Sequence, residues 1–113
     1  PLFSESELNG CEFVNIDSKA ILFNKSKIIN CDFSQSKLSN MRVLKESVFE
    51  KNSFISSDMQ KTTIFEATIK DCDFQKTKLD KSLIKKSELI GCNFKGAIAK
   101  GSRFEYASAK ECS

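Results

Sequence analysis

Large apolar residues recur at every fifth position of this chain, a period that neither a helix nor a long strand can satisfy. The series runs Phe3, Leu8, Phe13 and onward to Val43, then resumes one residue late at Phe49 and continues to Ala109. Of its 22 positions, 19 hold Leu, Ile, Val, Met or Phe, whereas the other 91 positions hold only 14 such residues. Nine of the ten phenylalanines lie on the series, and Phe65 alone is off it. Two residues before each large one, 17 of 22 positions hold Ser, Thr, Ala or Cys. A pair at i and i+2 shares a face only in extended chain. A helix repeats every 3.6 residues and a strand every 2, so the pattern small–x–large–x–x predicts short extended pieces, each followed by a turn.

Runs such as "CDFSQ SKLSN" at residues 31–40 and "CDFQK TKLDK" at 72–81 resemble the pentapeptide-repeat family, whose usual unit is Ala-(Asp/Asn)-Leu-x-x. The resemblance covers Phe3 to Cys112, with Ser, Cys and Thr often replacing Ala and one residue in excess. It implies an all-β fold, a right-handed quadrilateral β-helix with four pentapeptides per coil. Residues twenty apart then stack at ~4.8 Å. One column becomes Phe13, Phe33, Phe54, Phe74, Phe94, and its neighbour Cys11, Cys31, Asn52, Cys72, Cys92, Cys112. Both stay in phase only if the extra residue is a bulge near 44–46. At Ile16 and Ser18 the large and small volumes are exchanged, as a close-packed interior requires. The expectation is one domain over 1–113, a rod of about five and a half coils and ~27 Å. The columns Phe13, Phe33, Phe54, Phe74, Phe94 and Cys11, Cys31, Cys72, Cys92 are its core.

Composition narrows the function classes. The net charge of +3, from 18 basic and 15 acidic side chains, is too small to point to nucleic acid. No apolar run is long enough to span a membrane. An odd count of five cysteines fits a reducing, cytoplasmic compartment better than a disulfide framework. No histidine is present, which removes the commonest general base. Zinc needs four converging ligands, whereas a cysteine column is linear. No catalytic residue, cofactor or metal is therefore expected.

The outward columns carry charge. Asp17, Lys37, Asp58 and Lys78 alternate in sign coil by coil, as cross-strand pairs should. Glu12, Asp32, Ser53, Asp73 and Asn93 form an acidic stripe whose Asp and Asn are also the family's ordinary repeat residues. A third column, Leu22, Arg42, Thr63, Leu83 and Arg103, with Phe65 beside it, places apolar residues among arginines. Apolar patches on a surface mark partners. Leu22, Arg42, Phe65, Leu83 and Arg103 are accordingly the candidate partner-binding residues.

These readings converge on a non-enzymatic, rigid protein-interaction or scaffolding module, free-standing or part of a larger protein. The resemblance offers a rival, because some members of the family mimic duplex DNA and bind or protect DNA gyrase. Such mimicry needs dense acidic faces, and the net positive charge disfavours it. The repeat leaves no room for a capping helix, and the last coil carries Ile98, Phe104 and Tyr106 among alanines. Open strand edges are normally capped or paired, so attached domains or an end-to-end homo-oligomer are expected.

Overall fold

Each pentapeptide turns its corner on one residue in the left-handed region of backbone space. The computed structural model describes residues 1–113, and 22 of them, one per repeat, have positive φ. Four are the glycines, and the other 18 include Glu5, Lys51, Lys76 and Tyr106 at φ 51–56°. A non-glycine residue there costs about 1–2 kcal/mol in isolation. The stacked coils offset that cost. The corner N–H donates upward to a carbonyl of the next coil, as in Lys51 N to Lys70 O and Lys76 N to Lys95 O, at 2.9 and 3.0 Å.

Between corners the chain is extended for only two or three residues. Strands β1 (Leu2–Ser4), β3 (Leu22–Asn24), β5 (Arg42–Val43), β7 (Thr63–Phe65), β9 (Leu83–Lys85) and β11 (Arg103–Glu105) form one parallel six-stranded sheet. Strands β2 (Glu7–Asn9), β4 (Lys27–Ile29), β6 (Val48–Glu50), β8 (Thr68–Lys70), β10 (Glu88–Ile90) and β12 (Ser108–Lys110) form the second. On the third and fourth faces neighbouring coils meet through single parallel bridges, Glu12–Asp32–Ser53–Asp73–Asn93 and Asp17–Lys37–Asp58–Lys78–Ile98. Tighter turns shorten those two faces. Ser57 N donates to Phe54 O at 3.1 Å and Thr77 N to Phe74 O at 3.2 Å, each with a left-handed third residue. The result is a right-handed β-helix, the hand that parallel crossovers adopt.

Phe23 pairs with Val43, twenty residues on, whereas Ile28 pairs with Phe49, twenty-one on. The turn between them has Ser47 N donating to Leu44 O at 3.2 Å and Glu46 at φ 63°. We propose that this corner is the chain's tolerant site. One residue inserted after Lys45 should shift the melting temperature less than one inserted after Gln75, where the phenylalanine column would be thrown out of phase. Equal shifts would place the bulge elsewhere.

The stack reaches the expected length, but the molecule is about as broad as it is long. Its principal extents are 27 × 26 × 23 Å, because one square coil is as wide as the stack is tall. Inside, Phe33, Phe54 and Phe74 are buried and their rings lie nearly parallel, with centroids 5.0 and 5.2 Å apart. Phe13 and Phe94 extend the stack at 4.9 and 5.0 Å but are only half-buried, as is Cys11. The expectation of core positions for these three needs that correction. They lie in the first and last coils of these residues and pack against the buried cluster from its two sides.

The small inward position does more than save space. Ser57 Oγ donates to Phe33 O at 2.6 Å and accepts from Ser36 N at 3.2 Å. Ser36 makes the same pair of bonds with Phe13 O and Ile16 N. Hydroxyls thus form a ladder up the inner corners, joining each coil to the one below. Asn52, in the cysteine column, does the same with its amide. It accepts from Cys31 N at 2.9 Å and donates to Ile28 O at 2.8 Å. No buried side-chain nitrogen or oxygen lacks a partner, as a close-packed interior demands.

Candidate interaction surfaces

The cysteines line an inner corner, with Cys31, Cys72 and Cys92 buried and Cys11 and Cys112 half-buried. Cys72 Sγ lies 3.6 Å from Phe49 O and 3.5 Å from Lys70 O, and Cys92 Sγ 3.5 Å from Ile69 O. These are the bonds that a serine makes in the neighbouring ladders, made by a weaker donor. Burial pushes the Cys72 thiol up to about 12 and the Cys92 thiol up to about 11. Burial also raises Cys31, and the neighbouring Cys11 adds to the rise by charge repulsion. All five thiols are free. Raised, buried thiols are poor nucleophiles and poor metal ligands, and no group of three or more His, Cys, Asp or Glu is gathered as a metal site.

The acidic stripe has a local structural use. Asp32 Oδ1 accepts from Ser34 N at 2.9 Å, Asp73 Oδ1 from Gln75 N at 3.0 Å, and Asn93 Oδ1 from Lys95 N at 2.9 Å. Each carboxylate or amide caps the turn that follows it, the Asx-turn arrangement. Asp58 on the fourth face does the same for Gln60 N, at 3.2 Å. This bonding explains Asp and Asn at the position without invoking a ligand.

The alternating column Asp17, Lys37, Asp58, Lys78 is assembled in the expected register. It is not, however, a chain of ion pairs. The one salt bridge in the molecule is Arg103 Nε to Glu105 Oε2 at 3.5 Å. The short carboxylate of Asp58 is turned toward its own loop, where Gln60 Nε2 also donates to it at 3.0 Å. The lysines are left exposed.

The structure brings the five candidate partner-binding residues onto one face. Leu22, Arg42, Thr63, Leu83 and Arg103 are aligned across β3, β5, β7, β9 and β11. Phe65 points outward two residues after Thr63. Leu22, Phe65 and Leu83 are half-buried, while Arg42 and Arg103 are exposed. The leucines therefore do not stand free in water, because stacked neighbours in the same column cover their flanks. Lys86 Nζ sits 5.9 Å from the Phe65 ring centre, within cation–π range.

Each end of the helix exposes core. At the last coil a depression of about 200 Å³ is lined by Leu79, Ile84, Phe94, Ala97, Ala99 and Phe104, among others. It exists because Ala99 stands where lower coils have Leu79, Met59 and Leu38. Phe104 and Tyr106 are 52% and 85% exposed. No helix is long and apolar enough to cross a membrane.

A feature that sequence reading missed is a polar groove on the corner between the third and fourth faces. It is lined by Gln35, Lys37, Ser56, Asp58, Lys76 and Lys78, with Ser36 and Ser57 at its floor. Lys37 and Lys78 had been assigned to the alternating column, and Lys76 belongs to a different repeat. Only the folded corner sets Lys76 beside them.

Comparison with known proteins follows the same lines. Residues 67–105 match the family model described as pentapeptide repeats, in eight copies. QnrB1, a plasmid-mediated fluoroquinolone resistance protein, is similar over 98% of this chain and 52% of its own, at 19% identity and a TM-score of 0.54. A pentapeptide repeat protein from the thylakoid lumen of Arabidopsis thaliana is similar over 90% of this chain and 60% of its own, at 16% identity and a TM-score of 0.50. The pentapeptide repeat protein Rfr23 from the cyanobacterium Cyanothece 51142 is aligned over 95% of this chain and 90% of its own, at 14% identity and a TM-score of 0.46. The chain thus spans between half and two thirds of the length of the first and second of these. No curated protein matches it in sequence. The matched segment 67–105 consists of pentapeptide repeats, and the five-residue beat and twenty-residue parallel register give the whole chain the fold of a pentapeptide-repeat β-helix.

Proposed function

We propose that the protein is a non-enzymatic interaction module that binds a protein partner on the outer face of the β1–β11 sheet. The observation that carries this reading is one sheet face on which Leu22, Arg42, Thr63, Leu83 and Arg103 follow one another strand by strand, with Phe65 beside Thr63. Aromatic residues and arginine are enriched at interfaces, and half-buried leucines supply apolar area at little ordering cost. A stack of coils braced by hydroxyl ladders holds such a face in place without a pocket. The free thiols fit a reducing, cytoplasmic setting. The apolar ends fit attached domains or an end-to-end homo-oligomer.

The test is affinity capture with three baits, wild type, Leu83→Asp and Phe65→Asp, with bound proteins identified by mass spectrometry. A specific partner should be retained by wild type and lost by about tenfold or more with each variant, while the melting curves stay close. A partner retained equally by all three would move the interface to another face.

Gyrase protection or inhibition is the second reading, suggested by the family and opposed by the charge. The acidic residues that it would use, Asp32 and Asp73, are occupied in capping turns, and the chain is net basic at +3. Added protein should leave gyrase supercoiling unchanged. Saturable inhibition at sub-micromolar protein would promote Glu12, Asp32 and Asp73 to functional residues.

A further inference from the structure

The chain's positive charge is not spread evenly around its four faces. The fourth face and its two corners carry Lys37, Lys61, Lys76, Lys78, Lys81 and Lys100, all exposed. Within the same four coils the opposing acids are Asp58 and Asp80, both half-buried. Six lysines against two aspartates exceed the +3 of the whole molecule, so the remaining surface is close to neutral or acidic. Both aspartates are also spent on backbone. Asp58 Oδ1 accepts from Gln60 N at 3.2 Å and Asp80 Oδ1 from Lys100 N at 2.9 Å. No lysine of the face is in a salt bridge. Between Lys37, Lys76 and Lys78 lies the polar groove, floored by serines and edged by Gln35.

We infer that this lysine face is a second docking surface, and that it takes an acidic segment of a protein. Unpaired, aligned ammonium groups beside hydroxyl donors suit carboxylates, which are singly charged and separately placed. A nucleic acid suits them less well. Its backbone carries one charge about every 1.7 Å, and a line of phosphates laid along the face meets the fixed carboxylates of Asp58 and Asp80. A peptide presents its acids only where the lysines stand. Readout of bases by arginine or by aromatic stacking has nothing to work with here. Both arginines, Arg42 and Arg103, and the outward ring of Phe65 lie on the first face. The inference goes beyond the sheet-face interface and does not depend on it, since no residue is shared.

The experiment is fluorescence anisotropy of a labelled oligoglutamate peptide titrated with the full chain at low and at physiological ionic strength. The expected result is saturable binding that weakens with salt. Lys37→Glu/Lys76→Glu/Lys78→Glu should weaken it by about tenfold or more. Lys27→Glu/Lys51→Glu/Lys70→Glu on the opposite side changes net charge equally and should weaken it no more than about twofold. Circular dichroism melting of both triples checks that the fold is kept, and the exposed lysines make that the expectation. Absence of saturable binding would overturn the proposal. So would equal loss in the two triples, which would mean attraction by net charge alone. Tighter binding of a random-sequence DNA duplex than of the peptide would replace the protein segment with nucleic acid. Because the probe is defined, these outcomes are independent of whether Leu83 or Phe65 governs capture of a partner.

Discussion

Replacing Phe54 by alanine is expected to lower unfolding stability by about 3–5 kcal/mol. Phe54 is fully buried, and its ring lies between those of Phe33 and Phe74, tilted by 4° to each. It also meets Phe49 at 6.1 Å from the second sheet. Neighbours that are themselves pinned by coil-to-coil hydrogen bonds cannot collapse into the vacated space, so the cavity term stays near its upper range. Lys76→Ala, on the exposed corner of the next coil, should cost no more than about 0.5 kcal/mol. Its left-handed backbone at φ 56° is unchanged in kind by alanine, and no ion pair is lost. Urea denaturation of the two variants beside wild type measures both. Similar midpoints would mean that the inward and outward assignments are wrong.

The second expected result is a loss of stability in alkali to which the buried thiols contribute, Cys72 most of all. Cys72 is held neutral by burial, its pKa raised from 9.0 to about 12. A group whose pKa is raised on folding contributes its full stabilisation below the unfolded value and loses it as pH climbs through the folded value. The window is therefore pH 9 to about 12. A rise of that size in a fully buried group corresponds to stability on the order of 4 kcal/mol. The melting midpoint of wild type should fall across that window, and Cys72→Ser should flatten the fall. A serine fits because Ser57 already donates to a carbonyl at the matching place in its own ladder. At neutral pH, Cys72 and Cys92 should resist a thiol reagent until the protein is denatured, and half-buried Cys11 and Cys112 should react sooner. Prompt labelling of Cys72 in native protein would refute the packing.

Much of the fold was legible because five-residue spacing is a one-dimensional signal. Phe13, Phe33, Phe54, Phe74 and Phe94 are in one stack because residues a coil apart must be neighbours once four pentapeptides close a square. The column of Leu22, Arg42, Thr63, Leu83 and Arg103 follows from the same arithmetic, and the structure sets these residues side by side. Volume was legible too. Ile16 and Ser18 exchange sizes within one repeat, as a filled interior requires.

Side-chain direction and the corners of the stack were not. The alternation of Asp17, Lys37, Asp58 and Lys78 looks like a row of ion pairs. In the folded protein Asp58 bends back to cap its own turn, a local bond that a long-range pair does not outbid on an exposed surface. The 18 non-glycine residues at positive φ are marked by their place in the repeat and not by residue type, because lysine, glutamate and asparagine serve equally once the ladder above holds the corner. The lysine face depends on which residues share a corner, so Lys76 joins Lys37 and Lys78 only when the square is built. Spacing alone determined the columns. Hydrogen-bond competition at each corner, and the folding of four repeats into one square coil, decided what the columns present to a partner.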